Sequence, residues 1–351
     1  MNKSKLIEAV QHGEIVTEVI CDGIDCANED LSGGIFENVS FKDVNLQGAW
    51  IDESVFVHCD FTGARLSGAH FNLTNFLDCK LTNAMLTDAQ LTTTAFVRCD
   101  LQGVDFARSD MMAAKIVECN LSRASFSEAD MDRTAIMTSV LAGTNFDKAK
   151  MQRVVLLQTD LTETRFAGSL CFNPIFFQSN LSGQNLRVLS WHSAQFGEAN
   201  LTGVDFSGSD LSQCNFKDAN LTDAVLADCN LTNAIFPTAN LTRAVFTGAK
   251  LSQAIFLEAN AVGANFSGCD LQQAHFKKAN CQGALFVGAD LTYCDFSHTN
   301  LEQADLSDTK LFRAVLHRIN EKNTVWQGSS RALALETDAE LAKAEEWGAG
   351  A

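Results

Sequence analysis

The sequence predicts an all-β solenoid, a chain wound into about fifteen stacked four-sided coils. Three observations predict it. An apolar residue falls on every fifth position without a break, from Cys21 through Leu31, Phe36, Phe41 and Leu46 to Leu306, Leu311 and Leu316. A small residue, most often Ala, stands two places earlier, as at Ala219, Ala224, Ala234, Ala239 and Ala244. Several residue types recur every twenty: Cys59, Cys79, Cys99 and Cys119 form one such column, and Asn180, Asn200, Asn220, Asn240, Asn260, Asn280 and Asn300 another.

A period of five buries nothing on a helix, where it drifts around the axis, or on a flat strand, where it changes face at every step. A chain that turns a corner every five residues points both the large and the small residue inward. The twenty-residue recurrence then means four corners per coil. At the usual inter-strand spacing of about 4.8 Å, fifteen coils predict a rod on the order of 70 Å long, filled by Phe and Leu ladders and open only at its two ends.

The ends need caps. Residues 4–12 put Leu6, Ile7 and Val10 on one helical face before Gly13, which marks 1–20 as an N-terminal cap. The repeat fails where Glu321 takes an inward position, so the solenoid spans 21–320. Residues 321–351 carry Trp326, Leu333, Leu335 and Leu341, with Thr337 as N-cap of a short acidic helix that ends at Trp347. This tail reads either as a C-terminal cap or as a partner-binding or dimerising segment.

Composition narrows the function. The formal charge of −17 opposes binding to nucleic acid through phosphate neutralisation. No stretch approaches a membrane span, and the first residues lack a signal-type apolar run. Twelve Cys without CxxC pairs point to a reducing cytoplasm. An interior packed with Leu, Phe, Cys and Ala specifies no pocket, so neither an enzyme nor a cofactor is expected. The seven His (His12, His58, His70, His192, His275, His298, His317) are read as lying on different coils or sides, without metal-ligand spacing. The Cys column continues as Ser139, Thr159 and Ser179, which points to a size requirement and not to metal or redox chemistry.

One outward column stands out. On one wall the residue after each large inward one reads Val57, Leu77, Val97, Val117, Met137, Leu157 and Phe177, where the other walls carry mostly Ser, Thr, Gln, Asp or Ala. Ile35, Val55, Val155 and Ile175 stand beside it. Monomeric soluble proteins rarely leave such a contiguous apolar band to water, which makes it a candidate interaction surface. Retention for β-propensity alone is the competing explanation. Between residues 168 and 193 the pattern degrades: Pro174, Gln184 and Leu189 hold small-residue slots, while Phe172 and Val188 point outward. This segment joins the predicted surface.

The unit A-[N/D]-[L/F]-x-x, repeated about sixty times over residues 21–320, resembles that of the pentapeptide-repeat family. The resemblance implies a right-handed quadrilateral β-helix. For function the family hosts several unrelated activities; the apolar band and the pocketless interior point to a non-enzymatic scaffold or adaptor that binds another protein or a second copy of itself. Some members resemble duplex DNA and occupy the DNA site of type II topoisomerases, an alternative the charge fits loosely. Against it, Lys42, Lys80, Lys150, Arg153, Lys217, Lys250, Lys277 and Lys278 interrupt any acidic track. The opening KLIEAVQHGE and the Trp-containing acidic tail also resemble pentapeptide-repeat accessory proteins of bacterial type VI secretion, which implies a secreted effector or spike as partner.

Overall fold

Backbone pairing between residues twenty apart organises the chain, as the computed structural model shows for residues 1–348. The expected tail's last residues, 349–351, lie outside the described residues. The chain divides into two compact units, Met1–Ser179 and the part from Asn180 onward.

The first unit begins with helix α1 (Lys3–Gln11). Asn2 caps it, its Oδ1 accepting the Lys5 N–H at 3.1 Å, and Leu6, Ala9 and Val10 are buried beneath it. The chain then winds into coils. On one wall it is extended for three residues per coil, giving β1 (Ile15–Thr17), β2 (Ile35–Glu37), β3 (Val55–Val57), β4 (Asn75–Leu77), β5 (Ala95–Val97), β6 (Lys115–Val117), β7 (Ala135–Met137) and β9 (Val155–Leu157). These eight form one parallel sheet in strict register, with Phe36 opposite Phe56, Phe56 opposite Phe76 and Phe76 opposite Phe96. A second sheet pairs β8 (Lys150–Gln152) with β10 (Leu170–Phe172). Elsewhere each side of a coil contributes a single bridge, such as Asp60 to Lys80 and Lys80 to Asp100.

In the second unit the same pairings continue as single bridges, Asn200 to Asn220 and Ile235 to Ile255 among them. The strand ladder therefore counts about eight turns, fewer than the fifteen coils expected from the repeat.

Tight corners come from left-handed backbone. The second residue after an inward one takes φ near +55°, as at Asn83, Asp88 and Asn233, which explains the frequency of Asn, Asp and Gly there. At Gly48 the demand is double, because φ is +65° and a Cβ would come within 2.6 Å of Asn28 Oδ1. Val188, β-branched, also adopts φ +56°.

The interior is a set of aromatic stacks. Phe36, Phe56, Phe76 and Phe96 lie 4.7–4.9 Å apart with near-parallel rings. In the second unit Phe216, Phe236, Phe256 and Phe276 do the same at 4.4–4.9 Å. A neighbouring stack meets them edge-on, Phe246 to Phe256 at 6.2 Å and 90°. The ring spacing matches the strand spacing, so offset packing and backbone pairing reinforce each other.

The last buried large apolar residue is Leu316, and Glu321 is exposed and paired with Arg331. A 3-10 turn (Arg331–Leu333) leads to α2 (Ala339–Gly348). Its N-cap is Asp338, not the expected Thr337: Asp338 Oδ1 accepts the N–H groups of Glu340 and Leu341 at 2.9 and 3.0 Å. Thr337 Oγ1 instead accepts the Arg318 N–H. No helix among the described residues is long and apolar enough to cross a membrane.

Phe256→Ala removes the centre of two ring contacts along its stack and should lower the unfolding free energy of the second unit by about 3–5 kcal/mol, measured by denaturant titration. A loss under about 1 kcal/mol would mean that the stack does not carry the core.

Candidate interaction surface

The predicted apolar column lies on the strand wall of the first unit. Val57, Leu77, Val97, Val117, Met137 and Leu157 are the last residues of β3, β4, β5, β6, β7 and β9 and are aligned rung by rung. Five steps of about 4.8 Å make the band roughly 24 Å long. Val55 and Val155 open β3 and β9 beside it, and Ile175 bridges to Val155.

The structure adds detail at four points. Each band residue is half-buried and not fully open, because its neighbours one coil above and below shield it. Phe177 is half-buried in a turn one coil beyond β9, where its carbonyl accepts the Gln158 N–H at 3.1 Å, so the column runs one step past the last strand. Phe172, 50% exposed, lies on β10 and therefore in the other sheet. Val188, 76% exposed, lies in the second unit. Other exposed apolar residues escaped the sequence reading: Ile15 and Ile20 near the N-terminus, and Trp50, which stacks on His70 at 5.6 Å.

Charges on the walls are cross-linked between coils. Arg98 reaches Asp78 at 2.8 Å, Arg108 reaches Asp88 at 2.7 Å, and Arg243 reaches Asp223 at 2.7 Å. Lys278 pairs with Glu258 and Lys310 with Asp290. The Asp78 and Asp88 carboxyls are held below the usual carboxylate range by their arginines. In the second unit a ladder of side-chain amides joins the rungs, Asn200 to Asn180 at 2.9 Å and Asn300 to Asn280 at 2.9 Å.

The twelve cysteines are all free and buried. Their sulfurs do the work of small hydrogen-bonding groups: Cys79 Sγ accepts the Cys59 N–H at 3.4 Å and donates to Phe56 O at 3.4 Å. Burial pushes the Cys171, Cys229 and Cys269 thiols up to about 12. Protonated buried thiols are poor nucleophiles and poor metal ligands.

Two histidines do come together, contrary to the expectation that the seven lie apart. His298 and His317, nineteen residues apart, have ring centroids 5.3 Å apart, and both face Glu345 on α2. His298 Nε2 is 2.9 Å from Glu345 Oε1 and His317 Nε2 is 3.2 Å from Oε2. The three donor atoms lie within 4.8 Å of one another, a spacing that suits a cation. The tautomer does not. His317 Nδ1 accepts the Asp338 N–H at 3.2 Å, so the proton of the neutral ring sits on Nε2, the atom a metal would need. The cluster is a clasp: Glu345 accepts from both rings, while Arg318 binds Ala342 O at 2.7 Å and Glu346 at 2.6 Å.

Comparison with known proteins follows the same lines. The sequence model described as "pentapeptide repeat region" matches residues 30–106 and 189–266. That described as "pentapeptide repeats (8 copies)" matches 94–133, 269–308 and 279–318. No characterised protein matches in sequence at a significant level. Among solved structures the chain is similar to HetL, involved in heterocyst differentiation regulation in the cyanobacterium Nostoc, at 18% identity, covering 96% of this chain and 98% of that one, TM-score 0.27. It is similar to QnrB1, a plasmid-mediated fluoroquinolone resistance protein, at 21% identity, covering 63% and 93%, TM-score 0.32. A protein of the Arabidopsis thaliana thylakoid lumen shares 28% identity over 28% of this chain and 68% of its own, TM-score 0.27.

Two outcomes are expected. In the native protein the thiols should react with a disulfide reagent at least about 100-fold more slowly than free cysteine, and denaturation should release all twelve. Fast native labelling would contradict the buried placement. For the clasp, hydrogen bonds from His317 and then His298 hold the Glu345 carboxyl below its ordinary value. A lowered carboxylate pKa stabilises docking fully above the ordinary value of about 4.3 and loses it as pH falls through the lowered one. Limited proteolysis should therefore cut within 335–348 in Glu345→Ala at neutral pH, and in the wild type only in acid with an acid-active protease. Equal resistance of both proteins at neutral pH would mean that the clasp does not hold α2.

Proposed function

The chain belongs to the pentapeptide-repeat family, and from that premise we propose that it is a non-enzymatic scaffold whose first unit docks another protein along the apolar band of its strand wall. The observation that carries this reading is the in-register column Val57, Leu77, Val97, Val117, Met137 and Leu157, set on a flat parallel sheet. A flat, rigid, pre-ordered face loses little entropy on binding. Val55, Val155 and Ile175 widen it.

A second copy of the chain is the less favoured partner, because each brings the same −17 and like charge opposes association. A protein presenting an apolar ridge with a basic rim suits the face better. A DNA-like role fits poorly with carboxylates neutralised one coil further along by Arg98, Arg108 and Arg243. The twelve unpaired thiols fit a reducing, cytoplasmic setting.

The test compares wild type with Val97→Lys, Met137→Lys and Leu157→Lys combined, and with a control carrying Thr202→Lys, Thr222→Lys and Thr242→Lys. The wild type should be a monomer by light scattering, and should recover a partner that the control keeps and the band variant loses. If the wild type is a dimer that only the band variant converts to a folded monomer, the band is a self-association face. Retention of the partner by the band variant would remove the band from the interaction.

A further inference from the structure

Along the first unit one corner column bridges Ser40 to Asp60, Asp60 to Lys80, Lys80 to Asp100, Asp100 to Asn120 and Asn120 to Val140, and there the pairing stops. Up to that point every rung is complete. Leu121 N–H donates to Val140 O at 2.8 Å, Arg123 N–H to Ala142 O at 2.8 Å, and Val140 N–H to Cys119 O at 2.9 Å. One coil later the equivalent donors, the N–H groups of Leu141, Gly143 and Asp160, have no acceptor among the described residues. A cleft of about 260 Å³ opens at the same place, lined by Ser139, Val140, Leu141, Ala142, Asp160, Thr162 and Glu163.

The gap is confined to one corner. On the strand wall Thr138 N–H still reaches Leu157 O at 3.0 Å, and on the following side Arg165 N–H reaches Thr144 O and Phe146 N–H reaches Arg165 O. Two features of the sequence account for it. Asp100, Asn120 and Asp160 each fold a side-chain oxygen onto the N–H two residues on, and Asn120 Nδ2 also reaches back to Asp100, pinning the corner to the coil before. Val140 can do neither, and its side chain stands 55% exposed; Lys80 at the same corner has no such anchor either, but keeps its rung because the coils around it are extended on the same single wall. The same coil is also extended on two successive sides, β8 and β9, whereas the coil before it is extended only at β7. A coil with two opened sides does not superpose on a neighbour with one, and the misfit falls on the least anchored corner.

We infer that the coil stack is interrupted between 139–143 and 159–163 by a water-filled breach, the point at which the first unit opens most readily. Backbone donors left without protein acceptors are tolerated only where water reaches them. The cleft is polar-lined and larger than the space one water needs, so water can reach these N–H groups.

Hydrogen exchange followed residue by residue tests this directly. The amides of Leu141, Gly143 and Asp160 should exchange at least about 100-fold faster than those of Leu121, Arg123 and Asn120, their counterparts one or two coils earlier. Equal protection of the two sets would overturn the breach. Val140→Asn restores the corner anchor without touching the core and should bring Leu141 and Gly143 back towards the protection of Leu121 and Arg123. If they stay fast in that variant while the wild type shows the difference, the missing anchor is overturned as the cause.

Discussion

Everything in this protein hangs on in-register parallel pairing between residues twenty apart. Because every coil repeats the same backbone at the same pitch, any side chain meets its own kind one coil away, and stacked Phe rings at 4.4–4.9 Å are the direct consequence. The fold is thus a bundle of independent columns: inward columns are apolar, corner columns demand left-handed backbone, and wall columns accept whatever can stand beside a copy of itself. Arg98 over Asp78 and Asn300 over Asn280 are two solutions to that last condition.

The inward columns were fully legible in the sequence, since a five-residue period admits only one burial pattern. The band Val57 to Leu157 was legible as well, as a column of constant character. What could not be read was its accessibility. Stacked neighbours shield each other, an effect set by pitch and not by residue type. Phe172 was readable but misplaced: the twenty-residue period sets it in the column of Gln152, not in that of the band, and there the chain forms its second pair of strands, β8 and β10.

The histidine pair shows where strict periodicity misleads. His317 follows an inward residue by one place and His298 by two, so a search at intervals of twenty separates them, yet both flank the corner on which α2 docks. Asp338 replaced Thr337 as cap for a related reason. The Thr337 hydroxyl was already committed to the Arg318 N–H, a partner nineteen residues away that local cap preferences do not see.

The two ends of the chain are closed by different physics. At α1, Leu6, Ala9 and Val10 are buried, so that helix is held by desolvation and is as permanent as the core it extends. None of the described side chains of α2 is buried, and polar contacts hold it, chiefly Glu345 with its two histidines and Arg318 with Ala342 O and Glu346. Contacts of that kind trade readily with water and weaken with pH or salt. A solenoid must cover its terminal coils to avoid pairing with other chains, and apolar burial does so irrevocably. A polar clasp does so reversibly. The second end is therefore the one whose exposure solution conditions can change, and Trp347, 90% exposed on the outer side of the same helix, moves with it.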